Sequence, residues 1–161
     1  MKKFQRKALI FCFFINLLLL FTACHHNNAN KDFIFISLGE EGMIPDKQYV
    51  FQPFDSLKNL DKNEIYDINL IIRFSESCPI NQLHLGYEYS SPECDSIFND
   101  KVTVPLFNDK DGFIGKGNFT IYQTQIPLLR KITFQEGFFI AFQSLTKNTK
   151  GILDIGINLN K

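Results

Sequence analysis

The chain has 161 residues, with 17 Lys and Arg against 17 Asp and Glu, 18 phenylalanines and no tryptophan. Its hydrophobic fraction of 45% suits one packed domain and is too high for a disordered chain. The balanced charge argues against a nucleic-acid binder, which is marked by a clear basic excess.

Lys2, Lys3, Arg6 and Lys7 open the chain, and an apolar run from Ala8 to Phe21, broken only by Asn16, follows them. A basic start, an apolar stretch of this length and the small exit residues Thr22 and Ala23 read as a secretory signal peptide. The run is short of the ~20 apolar residues of a membrane span. Cys24, directly after the small pair, makes the segment resemble a lipoprotein signal. In that resemblance Cys24 is lipidated and becomes the first residue of the mature chain; Phe21 stands where the usual motif has leucine. A plain secretory signal or an N-terminal membrane anchor would instead leave Cys24 an ordinary thiol. The expected division is a signal peptide over 1–23, a lipidated cysteine and flexible tether over 24–32, and a domain over 33–161. Residues 1–23 carry four basic and no acidic residues, so thirteen Lys and Arg remain against seventeen Asp and Glu, a formal charge of −4. That charge gives no pull toward anionic lipid. Attachment would rest on the acyl chains, each buried CH₂ contributing roughly 0.8 kcal/mol.

Residues 25–31 are polar and without pattern, as expected of a tether; His25 and His26 read as solvated linker rather than a metal site. Phe33–Leu38 is an apolar run that suits an edge strand or an adhesive loop. Gln48–Phe54 is β-like and stops at Pro53. The period-2 signal then becomes clear. In Ile65–Phe74, residues Tyr66, Ile68, Leu70, Ile72 and Phe74 share one face, with Asp67, Asn69 and Arg73 on the other. In Asn81–Tyr89, residues Leu83, Leu85, Tyr87 and Tyr89 oppose Gln82, His84 and Glu88, which puts His84 on a polar surface. Ser90–Asp95 is turn chemistry, and Lys101–Phe107 alternates again. Asn108–Gly112 reads as a hairpin turn; it hints at a calcium loop but lacks the distal glutamate. Gly115 and Gly117 in Phe113–Gln125 suit a bulge or a close backbone approach. Ile126–Thr133, with Pro127 near its start, is the one stretch expected to be a short helix or irregular turn. Gly137–Gln143 and Gly151–Lys161 are expected strands.

The sum is an all-β domain: a single antiparallel β-sandwich, jelly-roll or immunoglobulin-like, of about 7–8 strands. Cys78 and Cys94 could form a disulfide in a compartment that permits one. The strand expected between them, Ile80–Tyr89, would hold its ends about 33 Å apart, against the roughly 7 Å a bridge tolerates. No nucleophile elbow, metal-binding His motif or Cys–His set is present, and the carboxylate pairs Asp109/Asp111 and Glu88/Glu93 fall at strand ends and turns. The expectation is a non-enzyme with no cofactor, no metal and no small-molecule substrate.

Several segments together resemble the gliding-motility lipoprotein H (GldH) family of Bacteroidetes. Asp67–Arg73 resembles that family's strand ending in arginine, and Asn81–Leu85 its N-x-L pattern. Asp95, Asp109–Gly112 and Gly115-Lys116-Gly117 resemble its D…L-x-D…G-x-x-G-x-G run. Phe134 and Gly137–Phe142 resemble its F-x-x-G-x-aromatic strand, and Gly151–Ile157 its G-I-x-D-I-G terminal strand. The likeness runs from about Tyr49 to Lys161. Phe113 and Cys78 stand where the family usually has a tryptophan and another aromatic. The resemblance implies an outer-membrane lipoprotein, anchored through Cys24, that supports gliding motility or type IX secretion-linked machinery through protein contacts. It carries over no catalytic residue. The tether lacks the acidic run that resembles a surface-export signal, which favours the periplasmic face. The alternative is a lipid-anchored glycan-binding sandwich, for which Tyr87, Tyr89 and Tyr122 would be the ligand-stacking residues.

Overall fold

A computed structural model describes residues 32–57, 60–91, 96–110, 112–118 and 120–161. Cys24 and Cys94 lie outside the described residues, as do His25, His26, Glu93 and Asp111. The described elements are β1 (Asp32–Ser37), β2 (Tyr49–Phe51), a single helical turn α1 (Pro53–Ser56), β3 (Ile65–Ser75), β4 (Gln82–Ser91) and β5 (Ser96–Pro105). They continue with β6 (Phe107–Asn108), β7 (Gly112–Phe113), β8 (Lys116–Asn118), β9 (Ile121–Thr133), β10 (Ile140–Ser144) and β11 (Ile152–Asn160). The main sheets are five-stranded, in the order β1-β11-β3-β9-β8, and four-stranded, in the order β2-β10-β4-β5; β6 and β7 form a small hairpin. Their strand pairings are antiparallel. The all-β sandwich expected from alternation is the fold observed.

Alternation also sets which side chains meet. Ile68, Leu70, Ile72 and Phe74 of β3 are fully buried, as are Leu83 and Leu85 of β4, Ile140 and Phe142 of β10, and Ile155 and Ile157 of β11. All belong to one apolar cluster. Each such side chain contributes roughly 1.5–3 kcal/mol by leaving water. The loop before β2 is tied to the turn before β11 through Thr149. Its hydroxyl accepts from the Met43 N–H at 2.7 Å and donates to the Met43 carbonyl at 3.0 Å.

Three local expectations are corrected. Ile126–Thr133 is neither helix nor turn but the second half of β9, paired with β3. Its alternation is scrambled by register shifts on both sides of Ile68, where Pro127 stands opposite Asn69, and by a positive φ of 55° at Lys131. A bulge of this kind lets a proline sit in a strand without breaking a ladder it would otherwise have to donate to. Strand β5 begins at Ser96, not at Lys101, because Ser96–Asp100 pair with β4 although they are exposed throughout. Strand β10 begins only at Ile140; Gly137 lies in the turn before it. Phe33–Leu38 resolves into edge strand β1, paired with β11.

Candidate interaction surface

The outward side of the five-stranded sheet is built in three cross-strand rows. Phe33, Asn158, Asn69 and Pro127 form the first. Phe35, Gly156, Ile71 and Gln125 form the second, and Ser37, Asp154, Arg73, Gln123 and Lys116 the third. β1 supplies the aromatic pair because Ile34 and Ile36, its alternate residues, turn into the core. The Phe33 and Phe35 rings stack at 6.1 Å and are 38% and 39% exposed.

Phe35 lies on Gly156: a Cβ there would stand 2.4 Å from the Phe35 Cδ1, so only glycine admits the ring. The Arg73 guanidinium sits 5.8 Å from the Phe35 ring centre, within cation–π range, and its Nη1 is 3.2 Å from Asp154 Oδ2. Beside these groups Ile71 is fully buried and Asn158 is 2% exposed. Asn158 donates its Nδ2 to Asn160 Oδ1 at 3.3 Å, while its own buried Oδ1 has no hydrogen-bond partner among the described residues. The polar face read from Asp67, Asn69 and Arg73, which Asp154, Asn158 and Asn160 of β11 continue, is thus only partly polar. Ile71 broke the alternation of β3, and the F-I-F-I run of β1 marked an apolar edge without showing which pair faces outward.

Further along the same face, Asp67 accepts from the Lys131 N–H at 3.0 Å and pairs with Arg130. These two interactions, the backbone one first, hold its carboxyl below the usual carboxylate range. A folded pKa below the unfolded one adds stability above the unfolded value, and that stability is lost as pH falls through the folded value. Asp67→Asn is therefore expected to flatten the acid limb of stability against pH below about pH 4 and to leave the slope near neutrality unchanged. Urea titrations of both proteins across that range would check it.

The opposite sheet has a shallow trough of about 400 Å³ on its outer side, with Gly86 in its floor and Gln48, Glu88, Asn99, Lys101 and Gln143 among its lining residues. Gln48 Nε2 donates to Glu88 Oε1 at 3.0 Å. His84 lies on this outer side, its Nδ1 3.0 Å from Thr103 Oγ1. Among the described residues no group of three or more His, Cys, Asp and Glu is placed to hold a metal ion.

The tyrosines considered for sugar stacking face the other way. Tyr122 is stacked between Phe74, at 5.8 Å, and Phe113, at 4.3 Å. Tyr87 packs on Phe142 and Tyr89; burial first, then the charge of Asp100, pushes its phenol up to about 12. Tyr89 is half-buried and stacks on the exposed Phe98 at 5.4 Å. Cys78 is a half-buried thiol that burial pushes up in pKa; Cys94, the partner considered for it, is outside the described residues.

A sequence-family model described as GldH lipoprotein matches residues 51–159. The chain belongs to the GldH lipoprotein family. No curated protein and no solved structure matches the chain. Family membership makes this a lipoprotein in a gliding-motility context and implies association with a membrane. The matched residues run from the end of β2 into β11, so β1 of this GldH-family lipoprotein, with Phe33 and Phe35, lies N-terminal to them.

Proposed function

We propose that the protein is a non-enzymatic outer-membrane lipoprotein, anchored through lipid on Cys24 and facing the periplasm. It supports gliding motility or type IX secretion-linked machinery through protein–protein contacts. The family match carries this reading. The signal-like segment ending at Cys24 supports the anchor, and the exposed apolar side chains on the sandwich support a contact role, since exposed apolar patches mark interaction sites. The inward stacking of Tyr87 and Tyr122 counts against the glycan-binding alternative. Cells fed labelled palmitate are expected to incorporate it into the wild-type protein and leave it in the outer-membrane fraction. Cys24→Ala is expected to abolish the label and release the protein to the soluble fraction. A Cys24→Ala chain that still carried label and still fractionated with the outer membrane would refute the anchor.

A further inference from the structure

We propose that the Phe33–Phe35 face of the five-stranded sheet lies on the lipid surface, so that the domain is held against the membrane rather than suspended from its tether. This rests on the lipidation of Cys24 and goes beyond it by fixing which side of the domain meets the bilayer.

Reach comes first. Phe33 is nine residues beyond Cys24, and a fully extended chain of that length spans only about 30 Å. Among the described strands β1 is the nearest in the chain to Cys24, and the side it turns outward is aromatic. The second observation is order. Phe35 rests on Gly156, stacks on Phe33 and lies beside the Arg73 guanidinium, so little side-chain freedom is left to lose on docking. Third, the side chains beside the rings are already largely out of solvent: Ile71 is fully buried and Asn158 is 2% exposed.

Charge completes the case. The chain after residue 23 carries a formal −4, so long-range attraction to anionic headgroups cannot be what orients it. On this face, however, Asp154 and Asp67 are each paired with an arginine, Arg73 and Arg130. The face can therefore approach a bilayer without stranding either carboxylate. Aromatic and aliphatic side chains of surface-bound segments settle about 5–10 Å into the headgroup–acyl boundary, which sets the depth expected of the Phe33 and Phe35 rings.

The absence of tryptophan provides a clean reporter. The full lipidated chain carrying Phe35→Trp would be reconstituted into phosphatidylethanolamine–phosphatidylglycerol vesicles with brominated acyl chains. A ring seated about 5–10 Å deep is expected to lose at least about half of its emission relative to unbrominated vesicles. Phe98→Trp, on β5 of the other sheet, is expected to lose none. Phe33→Trp repeats the test should Phe35→Trp disturb the packing on Gly156. Unquenched emission from both the Phe33→Trp and the Phe35→Trp chains, with the protein still floating with the vesicles, would overturn the proposal and leave the anchor intact. Emission shielded from aqueous acrylamide but untouched by brominated lipid would overturn it in favour of a protein partner or a second copy on this face. Failure of the protein to float would overturn the anchor and the proposal together.

Discussion

Phe74→Ala is expected to lower the stability of the domain by about 3–5 kcal/mol. Phe74 is fully buried near the end of β3. Its ring contacts two others, Tyr122 at 5.8 Å and Phe113 at 6.2 Å, and Phe113 in turn meets Phe107 across the β6–β7 hairpin at 5.5 Å. Truncation removes the ring on which Tyr122 and Phe113 both rest, and strands on either side cannot close the gap without breaking their ladders. With about 5–15 kcal/mol separating folded from unfolded domains, a loss of that size consumes roughly a fifth or more of the margin. The check is a urea titration followed by circular dichroism, with the midpoint shifted and the slope retained. A loss below about 1 kcal/mol would mean that this end of the sandwich is not packed as described.

The second large effect is expected at Gly42. Its φ is +75°, and an added Cβ would stand 2.0 Å from the Thr149 carbonyl oxygen and 2.7 Å from Thr149 Oγ1. Because backbone is in the way, no rotamer change relieves the clash; the loop must move off Thr149. That breaks both hydrogen bonds between Thr149 and Met43, each worth about 0.5–1.5 kcal/mol. The left-handed backbone adds about 1–2 kcal/mol for a residue with a Cβ. Gly42→Ala should therefore cost about 2–5 kcal/mol, the sum of those contributions. Gly39 provides the control. Its φ is +73° but nothing lies within 4 Å of its added Cβ, so Gly39→Ala should show only the backbone contribution of about 1–2 kcal/mol. Equal losses at the two positions, measured by the same titration, would contradict the pinning role of Thr149.

The sandwich was legible where one face of a strand is buried and the other is wet. β4 satisfies that condition, and its inward Leu83, Leu85 and Tyr87 were read correctly from alternation. The inward set of β3 was also read correctly, although Asn69 and Ile71 on its other face are buried too. In β11 a register shift between Ile152 and Asp154 breaks the alternation, and Ile152 joins the core. The second half of β9 was not legible, because a bulge beside Pro127 shifts the phase of the alternation in mid-strand. The first half of β5 was unreadable for another reason: Ser96–Asp100 are exposed on both sides, so no burial pattern marks them as a strand. The outer aromatic face was the least visible feature. Phe33 and Phe35 alternate with inward Ile34 and Ile36, so the run is apolar throughout and gives no hint of which pair faces water. Gly156 stood out in the sequence as part of a terminal-strand pattern. Its physical reason, a phenylalanine lying across it from the neighbouring strand, depends on a pairing between residues more than a hundred positions apart, which local pattern cannot supply.

The central claim, that this lipoprotein acts by contacts within gliding or secretion machinery, is tested most directly by cross-linking in living cells, purifying the protein and identifying what is bound to it. The account predicts recovery of motility or type IX secretion components with the wild-type chain and their loss in a Cys24→Ala strain. Recovery of glycan-uptake proteins alone, or of the same machinery components from the Cys24→Ala strain, would contradict it.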